Sequence, residues 1–208
     1  MDAAFVLYDN MTALDLIGPY DAISAMPEVT PHFVAARPGP IRCDSGLVIQ
    51  ADTAFDELPR PEVIVVPGSS TWHAALDDEP LLAWLATAHP TATWTTSVCT
   101  GSTLLAKAGV LTGRPATTHW LARDLLADLG AVVSTERVVV DGDVITAAGV
   151  SAGIDMALTL IAKLWDEHRA QLVQLMFEYD PRPPFDAGSP ETAPPQVVAF
   201  ARSLPSHN

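Results

Sequence analysis

Hydrophobic residues fall along this chain in two rhythms. The first is the short unbroken run. Ala3–Tyr8 and Glu62-Val-Ile-Val-Val-Pro67 show apolar side chains in both directions, as expected of strands covered on both faces. Thr91–Val98, rich in Thr, Val and Trp, reads the same way, and Thr30–Arg37 alternates weakly as a further strand broken by Pro38-Gly-Pro40. The second rhythm is helical. Leu76, Leu81, Leu82 and Leu85 share a period within His73–Ala88, interrupted by Pro80. Thr100–Ala108 is a helix closed by Gly109, and Trp120–Leu129 one stopped by Gly130. Ile154, Leu158, Ile161 and Trp165 follow at spacings of four, three and four, and Asp166 caps a further helix through Tyr179. Pro19 suits the first turn of a helix reaching Met26, which sets Asp15 just before it.

Shorter elements fill the gaps. Gly46–Ala51 pairs with Ile41-Arg-Cys43 at an edge, where Cys43 reads as an incidental structural cysteine. Ala116–His119 is a short strand, and Arg137–Thr146 is a hairpin around Asp141-Gly142. Six prolines fall between Pro181 and Pro195, so residues 180–208 form a tail that wraps over the domain or a partner, with a last short helix at Val197–Ser203.

Strands alternating with helices imply parallel βαβ units. The expected fold is α/β: an open parallel sheet between helices, one β-hairpin excursion, and a single domain over 1–208. Ligands bind such sheets in the crevice beyond the carboxyl ends of the strands. Asp15, Gly68 and Cys99 each follow a predicted strand, so topology brings three distant positions to one edge.

Cys99 occupies the sharp turn of Ser97-Val-Cys-Thr-Gly101, between a strand and a helix. The pattern parallels the G-x-S-x-G nucleophile elbow with sulfur in place of oxygen. A helix N-terminus beneath it favours negative charge and would lower the thiol pKa. A small cysteine that only packs is the alternative, and the convergence of the three positions favours the nucleophile. Asp15, among Leu14, Leu16 and Ile17, is either a helix cap or a carboxyl whose pKa burial raises. Gly68-Ser69-Ser70 is either an ordinary turn or a loop whose amides approach a ligand. His119 stands 20 residues past Cys99, where it can face the same cleft.

Charge and composition narrow the partners. The 208 residues carry a net charge of −14, which argues against nucleic acid and against docking on an anionic membrane through a basic patch. The two cysteines make no disulfide framework, and a reducing, cytoplasmic setting fits a free thiol. The N-terminus runs directly into a strand with no leader-like region, and no apolar run is long enough to span a bilayer. No Cys/His cluster has metal-ligand spacing, so no metal is expected.

Several longer segments carry a resemblance: Leu14-Asp-Leu-Ile-Gly-Pro19, Val65-Val-Pro-Gly68, Thr96-Ser-Val-Cys-Thr-Gly-Ser102, Gly113-Arg-Pro-Ala-Thr-Thr-His-Trp120, Ser151-Ala-Gly-Ile-Asp155 and Pro184-Phe-Asp-Ala-Gly-Ser-Pro190. Over nearly its whole length the chain resembles the DJ-1/PfpI superfamily, and within it the isocyanide hydratases. Asp15, where most of the superfamily has glutamate, and the Phe-Asp-Ala-Gly-Ser-Pro segment narrow the likeness to that group. The resemblance implies a flavodoxin-like fold, a homodimer, and cofactor-free hydration of isocyanides to N-substituted formamides. Cys99 would be the nucleophile and Asp15 the general acid and base. Thr100 would hydrogen-bond substrate or water, and the amides after Gly68 and at the elbow would hold developing charge. Ser69 departs from the hydratase pattern, which has glycine there; a positive φ at this position would strain it. The competing readings are a redox-sensing or protective protein of the DJ-1 type and a ligand-binding module. Regulator relatives append a helix-turn-helix domain, for which a chain ending at Asn208 leaves no room.

Overall fold

The two double-sided apolar runs take the middle of the sheet. The computed structural model describes residues 1–204. In chain order, β1 (Asp2–Val6) leads to α1 (Ala13–Ser24), β2 (Thr30–Ala35), β3 (Gly39–Arg42), β4 (Val48–Ala51), β5 (Thr53–Ala54) and β6 (Val63–Val66). Then come α2 (Trp72–Ala75), α3 (Glu79–Ala88), β7 (Trp94–Val98) and α4 (Gly101–Lys107). The remainder is β8 (Pro115–Ala116), α5 (Arg123–Asp128), β9 (Val132–Val133), β10 (Val138–Asp141), β11 (Val144–Ala147), α6 (Ala152–Leu164), α7 (Glu167–Met176) and α8 (Pro195–Ser203).

Seven strands form one sheet in the order β10-β11-β7-β6-β1-β2-β5. All its pairings are parallel except the β10–β11 hairpin at one edge. All four residues of β6 are buried, as are four of five in β1 and in β7, which is why their sequences lack a polar face. Their carboxyl ends lie on one side, and the segments leaving β1, β6 and β7 carry Asp15, Gly68 and Cys99 to it. The expected pairing of Ile41–Cys43 with Gly46–Ala51 is present as β3–β4, but as a separate antiparallel two-stranded sheet, so the chain has a second ribbon besides the β10–β11 hairpin.

Four local expectations change. Asp15 lies in the first turn of α1, not before the helix, and Pro19 sits inside it. Pro19 is held there by a close helix crossing. A Cβ on Gly153 of α6 would come within 3.1 Å of the Pro19 ring, and one on Gly18 within 3.1 Å of Ile154. The Pro80 interruption splits one helix into α2 and α3, with Asp78 accepting from the Leu81 N–H as cap. The strand expected over 116–119 is only Pro115–Ala116, paired with the unforeseen β9. Trp120–Ala122 is a 3₁₀ turn before α5. Among the described residues, no helix is long and apolar enough to cross a membrane.

Candidate active site

Cys99 adopts φ 57°, a left-handed conformation that a non-glycine residue takes at a cost of about 1–3 kcal/mol. Its surroundings hold it there. The Cys99 N–H donates to Ala148 O at 2.8 Å, and its carbonyl accepts from Thr118 Oγ1 at 3.0 Å. Glycine at 68 and 101 lets the loops close around it. A Cβ on Gly68 would lie 2.5 Å from Thr100 N and 2.9 Å from Cys99 Cβ, and one on Gly101 would collide with the Val66 carbonyl. The elbow thus requires small residues on both flanks, and Thr118 is a support that the sequence alone did not mark.

Asp15 is fully buried behind the thiol. Its Oδ2 accepts from the Gly68 N–H at 2.9 Å, while Oδ1 has no hydrogen-bond partner. Burial pushes the Asp15 pKa up to about 7, against the stabilising Gly68 amide and Cys99 thiol. Asp15 is therefore a high-pKa carboxyl, not a helix cap; α1 is preceded by Thr12. Burial also pushes the Cys99 thiol well above its ordinary range, and the neighbouring Asp15 charge pushes it further. The Val150 and Thr100 backbone amides act in the opposite sense. This overturns the expected helix-driven lowering. Cys99 is 5% exposed, and a seven-residue helix cannot replace the water its sulfur has lost.

The loop after β6 differs from expectation too. The Gly68 N–H is occupied by Asp15, and the Ser69 N–H donates to Thr100 Oγ1 at 2.9 Å. These two amides are therefore occupied, whereas the next residue, Ser70, lines the cavity and its N–H takes part in neither bond. Thr100 Oγ1 also donates to Ser69 O at 3.1 Å, so its hydroxyl locks this loop to the elbow. Ser69 has no positive φ and carries no strain of that kind. Its hydroxyl donates to Asn10 O at 2.6 Å and accepts from the Thr71 N–H at 2.9 Å, tying the loop to the end of β1.

Above the thiol opens a cavity of about 630 Å³. Cys99, Thr100, Ser69, Val150 and His119 form its floor; Gly68 and Asp15 lie behind. His119 Nδ1 accepts from the Leu121 N–H at 3.4 Å, and burial lowers its pKa, so the ring is neutral. The Cys99 thiol is approached by the Val150 and Thr100 amides and the Asp15 carboxyl, while the Ser102 and Thr118 hydroxyls bond its backbone carbonyl. Asp44 lines the rim, accepting from Thr12 Oγ1 at 2.7 Å. The outer wall is Trp72, Trp120, Leu121, Ala201, Arg202 and Leu204. None of these was singled out as a site residue, since an indole or a tail leucine looks the same in sequence whether it packs a core or faces a ligand.

A strained cysteine over a helix, with a buried carboxyl at its back, makes comparison with known proteins informative. The DJ-1/PfpI family model matches residues 1–163. The chain belongs to the DJ-1/PfpI family. The isonitrile hydratase of Pseudomonas putida is 45% identical over 202 residues, covering 97% of this chain and 89% of that one. A transcriptional regulator of Pseudomonas aeruginosa with a helix-turn-helix, CdhR, is 34% identical, but the match spans 64% of this chain and 40% of the regulator. Among solved structures, a ThiJ/PfpI family protein from Pseudomonas syringae superposes with a TM-score of 0.93 at 40% identity, covering 97% of this chain and 84% of that one. Drosophila melanogaster DJ-1beta shares the fold, with a TM-score of 0.77 at 20% identity. The mostly parallel sheet between helices is thus the fold of these structures as well as of this chain.

Proposed function

We propose that this protein hydrates isocyanides, R–N≡C, to N-substituted formamides, R–NH–CHO. The observation that carries the reading is the buried pair: a Cys99 thiol at the floor of a cavity and an Asp15 carboxyl beside it in the protein interior, both with raised pKa. The near-full-length likeness to an isonitrile hydratase supports the same chemistry.

With the thiol held protonated and Asp15 near 7, the resting pair at neutral pH is thiol plus carboxylate in substantial part. Asp15 takes the thiol proton as sulfur attacks the terminal isocyanide carbon. It then returns that proton to the same carbon, leaving the thioimidate R–N=CH–S–Cys99. Water adds to this carbon with Asp15 as base, and the proton passes to nitrogen. The resulting R–NH–CH(OH)–S–Cys99 loses its hydroxyl proton as the C–S bond breaks, which gives the formamide and restores the thiol. One water is consumed, and no redox step or cofactor is needed. The Val150 and Thr100 amides stabilise sulfur whenever it carries charge. The neutral His119 and the Ser69 loop border the substrate without supplying a proton.

The active form is read as a homodimer of single-domain chains in the cytoplasm, with a tail over 180–208, of which 205–208 lie outside the described residues. The dimer is what the sequence resemblance implies, and the free thiols Cys43 and Cys99 suit a reducing compartment. Formamide production from a simple isocyanide, compared among the intact protein, Cys99→Ala and Asp15→Ala, tests the reaction. Turnover by the intact protein that both variants lose is the expected result; substantial turnover by Cys99→Ala would sink the scheme.

A further inference from the structure

The family match ends at residue 163, yet the cavity does not. Three of its lining residues, Ala201, Arg202 and Leu204, come from the far end of the tail. That tail is clamped down at two places, both on the segment that follows His119. The Arg202 guanidinium lies 5.3 Å from the centre of the Trp120 ring, a cation–π contact. Glu191 accepts from Arg123 Nη1 at 3.4 Å. The 3₁₀ turn Trp120–Ala122 and α8 therefore form one continuous outer wall.

We propose that α8 is the wall that selects the substituent on the isocyanide nitrogen, with Ala201 and the Arg202–Trp120 contact as its specificity determinants. This rests on the hydratase reading of the floor. Size is the first argument. The reacting group is only two atoms, comparable to one or two waters at roughly 30 Å³ each, whereas the cavity measures about 630 Å³. Cavities of that size hold ligands of many atoms. Chemistry is the second. Trp72, Trp120, Leu121, Ala201 and Leu204 offer apolar surface. The Arg202 charge rests on an indole face, and the Asp44 carboxylate is held by the Thr12 hydroxyl. The substituent that fits is apolar and of ring size, lying between Trp120 and Ala201 with its isocyano carbon toward Cys99. Position is the third. Cys99, Asp15 and Thr100 all precede residue 163, so changes in the tail alter what enters without touching the atoms that react.

The test compares kcat/KM for benzyl isocyanide and methyl isocyanide in the full-length protein, Ala201→Trp and Arg202→Ala. A benzyl-to-methyl ratio about tenfold lower in Ala201→Trp is expected, the scale on which small changes in an apolar pocket discriminate. The loss should appear mainly in KM for the benzyl substrate. Arg202→Ala, which frees the wall without adding bulk, should lower the ratio severalfold in the same sense. An unchanged ratio in both variants, with methyl isocyanide still turned over, overturns the assignment and leaves the hydratase reading intact. Absence of turnover of either substrate by the intact protein overturns both.

Discussion

The floor and the outer wall of one cavity are built on opposite principles. The floor is buried, polar and over-determined: Cys99 is strained, Asp15 is desolvated, and the hydroxyls of Thr100 and Thr118 are already bonded. The wall is apolar and half-exposed, and its tail side is attached through two surface contacts. A floor of this kind stores free energy, because a left-handed cysteine and a buried carboxyl both oppose folding and persist only where the surrounding sheet outweighs them. A wall of this kind stores little, since exposed ion pairs and cation–π contacts contribute at most about 1 kcal/mol each. Reaction chemistry and substrate choice can then vary separately, and substitutions should sort by which surface they touch.

The largest effect belongs to the floor. Cys99→Ala should lower hydratase kcat by more than ~10³-fold while leaving binding of the formamide product, measured by calorimetry, within a few-fold. Retained turnover would turn the floor into a mere binding surface and erase the contrast.

Asp15→Asn should cost about 10²–10⁴ in kcat, the span of a general acid–base group. In the intact protein kcat/KM should rise with pH through about 7, as the carboxylate forms. The same substitution should stabilise the fold at high pH. Asp15 has a folded pKa raised from 3.8 to about 7, so folding favours its protonated form. Its contribution to stability is full below the unfolded value near 4 and is lost as pH rises through 7. Replacing it with a neutral amide should therefore raise stability relative to the intact protein by about 4 kcal/mol at pH 8 and by little at pH 4. Thermal melts across that range would show the two curves diverging upward; parallel curves would mean that the carboxyl is not desolvated.

Gly68→Ala should come next, through geometry. Its methyl would press on Thr100 N and Cys99 Cβ, so both melting temperature and kcat should fall together, by about 1–3 kcal/mol in stability. Thr100→Val is the mildest of the floor changes. It leaves the buried Ser69 N–H without an acceptor, at a cost of about 1–3 kcal/mol, and should reduce kcat less than Asp15→Asn does. A Thr100→Ser variant keeps the hydroxyl and should recover most of the loss. Failure of that rescue would assign Thr100 a role beyond tying the loop to the elbow.

The sequence by itself determined the sheet and pointed to Cys99 and Asp15 as the candidate pair. Double-sided apolar runs can only be central strands, and their alternation with helices admits few topologies other than the one observed. A cysteine squeezed between a strand and a Gly-flanked helix is legible for the same reason: few residues tolerate that turn, and the motif around it is short and local. Helix boundaries were less legible, because Pro19 fits a first turn by its own geometry and only the Gly18–Gly153 crossing lets it sit deeper in α1.

Tertiary structure decided everything that depends on distance between segments. Local reasoning lowered the thiol pKa through the helix beneath it, whereas burial and a carboxylate more than 80 residues away raise it. The hydroxyl of Thr100 and the amides of Gly68 and Ser69 looked available in sequence. Packing has spent them on one another. Ser69 looked strained beside a glycine pattern, yet the loop gives it an ordinary φ and two bonds. The outer wall was invisible, since Trp120 and Ala201 are 81 positions apart and only the return of the Pro-rich tail sets them on one cavity. Periodicity encodes which face of an element is buried. It carries no record of which distant chain does the burying, and in this protein that distant chain forms one wall of the cavity over Cys99.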